Sequence, residues 1–184
     1  MDATIELQSE RGVDYIRLRN LLAAGRWKEA DEETFRVMLQ AANRKEEEGL
    51  DVEDIDRFPC TDLLTIDRLW VEYSQGKFGF SVQKKIYQSL GGTREYDSQI
   101  WKAFGDRVGW RVGMEEWLYY EGITFDLKAK VGHLPVGVWR HLWSLDLENV
   151  YLWEVWGWLG NIVVGVSSFA SRLVECSLNG RQNF

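Results

Sequence analysis

His133 and His141 are the only imidazoles in this 184-residue chain, eight positions apart with Pro135 between them. No zinc site is built on that spacing. One of them could serve as an axial ligand to a porphyrin metal; a hydrogen-bonded structural histidine is the other reading. Cys60 and Cys176, the only cysteines, are too few and too far apart for a disulfide framework or a zinc cluster. They read as two reduced, partly buried thiols in a reducing compartment. The carboxylate pairs Asp62/Asp67 and Glu115/Glu116 fall where solvated faces are expected. There is no Gly-rich phosphate loop, no nucleophile elbow and no H-E-x-x-H. The chain therefore reads as a non-enzyme with no catalytic residue, no metal and no cofactor of its own.

The segment with ligand chemistry is Trp70-Val71-Glu72-Tyr73-Ser74-Gln75-Gly76-Lys77-Phe78-Gly79-Phe80-Ser81. Two phenylalanines flanking a glycine on an inter-helix loop would expose flat apolar faces, a natural seat for a planar ligand. Gly79 lets the backbone approach closely. Arg68, Lys77 and Lys84 stand near enough in sequence to meet carboxylates. The alternative is that Phe78 and Phe80 are core aromatics closing a helix–helix corner.

Helices must position that loop. Asp14 is a plausible N-cap for a first helix whose stripe is Tyr15, Leu18, Leu21 and Leu22, ended by Gly25. A second helix spans about 27–43, with Trp27, Ala30, Thr34, Phe35, Met38 and Ala42 inward and Lys28, Glu29, Asp31, Glu32 and Glu33 outward. The two form a helical hairpin. A short turn over 51–58 precedes a helix over about 60–74, with Leu63, Ile66, Trp70 and Tyr73 on one stripe. Ser81 can cap a helix through Leu90, with Val82, Ile86 and Leu90 inward and Gly91-Gly92 as its stop. Asp97 or Ser98 starts another, carrying Ile100, Trp101, Phe104 and Val108. Residues 109–126 have room for a short strand pair. The fold class is mainly α: a compact single helical domain with a ligand cleft.

Composition excludes several functions. The chain is 45% apolar and 28% charged, an ordinary globular mixture. Its net charge is −7, and residues 1–57 hold 15 acidic against 9 basic side chains. Nucleic-acid binding, which needs a basic face, is not expected; a small acidic ligand, which responds to local cations, remains allowed. The first residues, MDATIELQSE, show neither a secretion signal nor a transit peptide. Residues 155–171 lack charge, but Asn161, three glycines and three serines make them a poor and short span, so no transmembrane segment is expected, while peripheral membrane contact is allowed. Ten tryptophans are unusual, and Trp139, Trp143, Trp153, Trp156 and Trp158 crowd into twenty residues.

Longer strings carry a family resemblance. They are Asp14-Tyr15 to Gly25, Trp27-Lys28-Glu29-Ala30-Asp31, Phe58-Pro59-Cys60-x-Asp62-Leu63 and Ile66-Asp67-x-Leu69-Trp70-Val71. Phe78-Gly79-Phe80-Ser81-Val82-Gln83, Phe104-Gly105-Asp106-Arg107-Val108-Gly109-Trp110-Arg111 and Gly132-His133-Leu134-Pro135 follow in order, and Ser171-Arg172-Leu173-x-x-Cys176 comes near the end. Residues 9–135 thereby resemble the core domain of the genomes-uncoupled-four family, the porphyrin-binding accessory protein of magnesium chelatase in cyanobacteria and plastids. The resemblance starts at the core, so the extra N-terminal helical bundle common in cyanobacterial members is not expected.

That resemblance implies a cupped, mainly helical domain holding protoporphyrin IX or Mg-protoporphyrin IX in a cleft. It implies stimulation of magnesium chelatase in chlorophyll biosynthesis without metal insertion by the protein itself. The implied partner is a magnesium chelatase subunit, and the implied location is the cyanobacterial cytoplasm or plastid stroma. Val71 and Phe80 match apolar ligand-contacting positions and Arg172 matches an arginine near the propionates. Phe78 and Lys77 complete the loop's contribution. Residues 1–8 read as an N-terminal extension and 9–184 as the tetrapyrrole-binding core.

Residues 136–166 depart from the family and form a divergent, Trp-rich flap segment, from which Trp139, Trp143 and Arg140 are expected to reach the ligand. That departure leaves two alternatives open. One is a bilin-binding protein or chaperone; the other is a protein-interaction module without a tetrapyrrole, using an exposed Trp-rich patch.

Overall fold

A computed structural model describes residues 5–44, 49–95, 97–113, 116–138, 168 and 170–176. The described chain is mostly helical, as its periodicity predicts: α1 (Ile16–Ala23), α2 (Trp27–Ala41), α3 (Val52–Asp56), α4 (Cys60–Tyr73), α5 (Phe80–Ser89) and α6 (Ser98–Val108). A two-residue antiparallel pair, β1 (Arg111–Val112) with β2 (Glu116–Trp117), and a 3-10 turn, Tyr120–Gly122, follow. Residues 170–176 are helical again.

α1 packs on α2 and α4, and α5 on α6 and α4, so α4 is the shared wall. The predicted α1 stripe is the buried one: Tyr15, Leu18, Leu21 and Leu22 are all within the core, and the Asp14 carboxylate accepts from the Ile16 N–H at 2.8 Å. On α4, Leu63, Ile66 and Trp70 are fully buried. Trp70 donates its indole N–H to Thr34 Oγ1 at 2.9 Å, and Thr34 in turn donates to the Ala30 carbonyl at 2.7 Å. The ring of Trp70 lies 6.0 Å from Trp27. A large apolar surface and its one polar atom are thus both satisfied, as a buried indole requires. In α6, Trp101 stacks on Phe104 at 5.6 Å and on Trp117 at 5.2 Å. Gly105 admits the Trp117 ring: a Cβ there would meet that ring at 2.6 Å.

Five expectations need correction. First, Cys60 and Cys176 are bonded to each other across 116 residues. Sequence separation misled because the helical stretch 170–176 returns to the start of α4. Second, Asp31 and Glu33 are not on the solvated face of α2; they are 0% and 2% exposed. Asp31 faces backbone N–H groups far along the chain, and Glu33 sits between Arg17 and Arg36. Third, Asp62 and Asp67 are buried as well, at 0% and 8%, because each accepts from neighbouring segments that lack helical partners. Fourth, α5 begins at Phe80 with Gly79 as N-cap, so Ser81 lies inside the helix. The cap comes instead from α4, where Asp67 accepts the Ser81 N–H at 2.8 Å. That rotates the inner face of α5 to Phe80, Gln83 and Tyr87, leaving Val82, Ile86 and Leu90 half-buried. Fifth, α2 stops at Ala41, so Ala42 is its C-cap and only partly buried.

Candidate functional site

The loop that leaves α4 is shaped by its own backbone. Gln75 and Gly76 take positive φ angles of 56° and 80°, turning the chain sharply; a side chain tolerates that region only at a cost. Ser74 accepts the Phe78 N–H at 2.8 Å. Across the loop, the Gly79 N–H donates to the Leu134 carbonyl at 3.0 Å and the Gly132 N–H to the Lys77 carbonyl at 2.9 Å. Residues 77–79 are therefore stitched to 132–134. Gly79, at φ 130°, needs to be glycine twice over. A Cβ would meet Val71 at 2.8 Å and the Asp67 carboxylate at 3.0 Å.

Phe78 and Phe80 do not present open faces. They are 0% and 2% exposed, and Phe78 packs edge-on against Trp27 at 5.6 Å. Half-buried Val71, touching Gly79, is the more accessible apolar member. Lys77 donates to the Leu127 carbonyl. Burial pushes the Asp67 carboxyl up from its ordinary range, opposed by the Ser81 N–H and the Lys84 ammonium. Burial likewise pushes the Lys84 ammonium down, with Asp67 opposing.

Behind the loop lies a layer of polar clamps. Gln83 donates its amide to the carbonyls of Gly132 at 3.0 Å and Pro135 at 2.8 Å. Trp110 donates to the His133 carbonyl at 2.8 Å. His133 Nδ1 lies 2.7 Å from the Val108 carbonyl, while Nε2 accepts the Thr124 N–H at 3.1 Å. That pattern fixes the neutral imidazole with its proton on Nδ1, and burial pushes its pKa down from 6.5. Both ring nitrogens are engaged, which is the structural reading of this histidine; His141 lies outside the described residues. Among the described residues, no group of three or more His, Cys, Asp or Glu side chains could hold a metal ion.

Asp31 is the residue that sequence reasoning missed. Its carboxylate accepts the Val136 N–H at 2.6 Å and the Tyr120 hydroxyl at 3.0 Å, and the Gly137 N–H also points to it. Burial nevertheless raises its pKa from 3.8 to about 6. The signal available was weak: position 31 borders the apolar stripe, next to Ala30 and one turn after Trp27.

Arg172 lies at the opposite end of α4. Its Nε donates to the Phe58 carbonyl at 2.9 Å, and its Nη1 pairs with Glu175 at 3.0 Å. Cys60, at the same end, is eleven residues before Val71, about 16 Å along the helix axis. The structure thus brings Val71, Lys77, Phe78 and Phe80 together and sets Arg172 apart. Trp139, Arg140 and Trp143 lie outside the described residues.

Comparison with known proteins finds relatives of the chain. A family model described as GUN4-like matches residues 8–150. A Ycf53-like protein of Synechocystis is 32% identical over 83% of this chain and 64% of its own length. A chloroplastic tetrapyrrole-binding protein of Arabidopsis thaliana is 36% identical over 65% of this chain and 46% of its own. The chain thus spans less than two thirds of these relatives. Among solved structures, GUN4 from Chlamydomonas reinhardtii superposes with a TM-score of 0.63 at 26% identity, covering 78% of this chain and 96% of that one. Ligand-free Arabidopsis GUN4, at a TM-score of 0.60 and 22% identity, covers 88% and 98% and shares the fold.

Proposed function

Because the chain belongs to the GUN4-like family, we propose that it is a non-catalytic tetrapyrrole-binding protein that takes up protoporphyrin IX or Mg-protoporphyrin IX and stimulates magnesium chelatase. The observation that carries this reading is the stitched loop 77–80, which holds Val71, Phe78 and Phe80 in one fixed apolar assembly at the end of α4. One relative bears the name of a chloroplastic tetrapyrrole-binding protein and another comes from the cyanobacterium Synechocystis, which supports a plastid stroma or cyanobacterial cytoplasm as location. No described helix is long and apolar enough to cross a membrane.

Rigid apolar contact and anion recognition are separate tasks for a plate-shaped dicarboxylate. Val71 and the loop serve the first, with Phe80 as the wall behind them. The second falls to Arg172, outside the apolar assembly at the far end of α4, so the ligand would have to span the two. The Arg172 Nε is fixed on the Phe58 carbonyl, and its Nη1 pairs with the exposed Glu175 carboxylate, which a propionate would replace. A guanidinium suits a carboxylate through two parallel hydrogen bonds, which an ammonium cannot make. At about −0.3 kcal/mol per heavy atom, a ligand of a few tens of atoms reaches roughly −12 kcal/mol, near nanomolar. Ordering costs move the expected dissociation constant into the nanomolar-to-micromolar range.

Titration with protoporphyrin, its magnesium form and a bilin, followed by tryptophan quenching and the Soret band, tests the reading. Porphyrin binding is expected; a bilin shift without a porphyrin shift redirects the site to open-chain ligands, and no response at tens of micromolar overturns it. Phe80→Ala is expected to weaken binding by about 1–3 kcal/mol. Arg172→Ala is expected to cost about 1–2 kcal/mol, with Arg172→Lys recovering part. Esterifying both propionates should erase the Arg172 effect; an unchanged gap removes Arg172 from the anion site.

A further inference from the structure

Residues 170–176 are joined to the start of α4 by a covalent bond. Cys60 sits on the first turn of α4, partly exposed, and Cys176 lies in the helical stretch 170–176, 1% exposed. Around that bond, Leu173 and Ala170 are buried at 1% and 7%, and Arg172 donates to the Phe58 carbonyl. The N-terminal segment meets the same corner. Ser9 and Tyr15 donate to Asp62, Glu10 accepts the Thr61 N–H at 2.8 Å, and Arg172 attracts the Glu10 carboxylate. Helical segments draw most of their stability from tertiary packing, and the disulfide is the covalent part of the docking of these residues.

We propose that Cys60–Cys176 is a redox modification site whose substrate class is a dithiol reductant, and that its reduction releases the 170–176 segment and weakens the tetrapyrrole site through Arg172. The second half rests on the binding function proposed above. The chemistry balances as an ordinary exchange. A reductant thiolate attacks Sγ of Cys60, the partly exposed residue of the pair, and the S–S bond breaks with Cys176 leaving as thiolate, which takes a proton. The second reductant thiol then displaces Cys60 from the mixed disulfide. Two electrons and two protons reach the protein, which gains two thiols while the reductant becomes a disulfide. In a reducing compartment a protein disulfide is characteristically transient and regulatory, which suits a reversible role here. Since Arg172 rides on the released segment, its orientation against Phe58 ends with the bond.

Dithiothreitol serves as the dithiol probe. Thiol titration of the denatured chain should give none before reduction and two after. Amide exchange over 170–176 should lose protection on reduction and regain it on reoxidation, and the melting midpoint should fall by roughly 5–15 °C. A Cys60→Ser/Cys176→Ser double variant should behave as the reduced protein under all conditions. Porphyrin affinity should fall roughly fivefold to thirtyfold on reduction, with no further fall in Arg172→Ala. Equal protection of 170–176 in both states, or two thiols that no oxidant removes, overturns the latch. Affinity indifferent to reduction while Arg172→Ala lowers it overturns the coupling. If neither state binds any porphyrin, the binding reading and the coupling fail, and the exchange data still decide the latch.

Discussion

The helical half formed by α1, α2 and α4 and the loop layer of residues 109–138 are stable for different reasons. In the helical half, contact is made mainly by apolar stripes, and the polar groups buried among them, Asp31, Glu33, Thr34, Asp62, Thr65 and Asp67, each have a partner. In the loop layer, each buried turn is tied by a side chain reaching a backbone group: Gln83 to Gly132 and Pro135, Trp110 to His133, His133 to Val108, Asp31 to Val136. Backbone without secondary structure must find hydrogen-bond partners elsewhere when buried, and here long-range side chains supply them. Substitutions in the apolar stripes therefore act through volume, and those at the side chains that tie the loop layer, Asp31 of α2 among them, act through unsatisfied polar groups and pH.

The largest effect is expected where volume rules. Trp70→Ala should destabilise the fold by about 3–5 kcal/mol, measured by urea unfolding, with a cost that does not change between neutral and mildly acidic pH. A loss below about 1 kcal/mol would break the comparison by showing that the helical half is not packing-limited.

Asp31→Ala should cost about 1–3 kcal/mol at neutral pH, because it orphans buried donors. The pH dependence carries more information. The folded-state pKa of Asp31 is raised to about 6 from 3.8. Its contribution is therefore fully present below the unfolded value and is lost as pH rises through about 6. Relative to Asp31→Asn, the wild type should lose stability on going from pH 4 to 7. A flat difference across that window removes Asp31 as a titrating clamp.

His133 runs the other way and more weakly. Its folded-state pKa is depressed below 6.5 by burial, so the unfolded chain takes up the proton first and stability falls as pH drops below that value. His133→Gln should cost about 1 kcal/mol at neutral pH and flatten the acid limb. Equal acid sensitivity in wild type and variant would place the pH response outside the loop layer.

The same division explains how much was legible in the sequence. Helices with an apolar period announced themselves, and the stripes of α1, α4 and α6 were read nearly residue by residue, since Leu18, Leu63 and Phe104 obey a local rule. Asp31 and Asp67 were not legible. Their burial depends on a donor in another segment, 105 residues away for Asp31 and 14 for Asp67, and no local pattern encodes that. Cys60 and Cys176 were misread for the same reason. In the site, the loop 77–80 was found because two aromatics around a glycine are conspicuous. Its closure against 132–134 was not found, being made by backbone atoms that every residue shares.

Gly137 sits with no room for a Cβ: one would lie 2.6 Å from the Asp31 carboxylate oxygen and 3.1 Å from the Asp31 carbonyl. Shortening residue 31 relieves only the first of these conflicts and unties Val136 in doing so. The two positions therefore form a single heritable unit. Neither can drift alone without loss, and a lineage that escapes the pair must rebuild the turn around it in the same step.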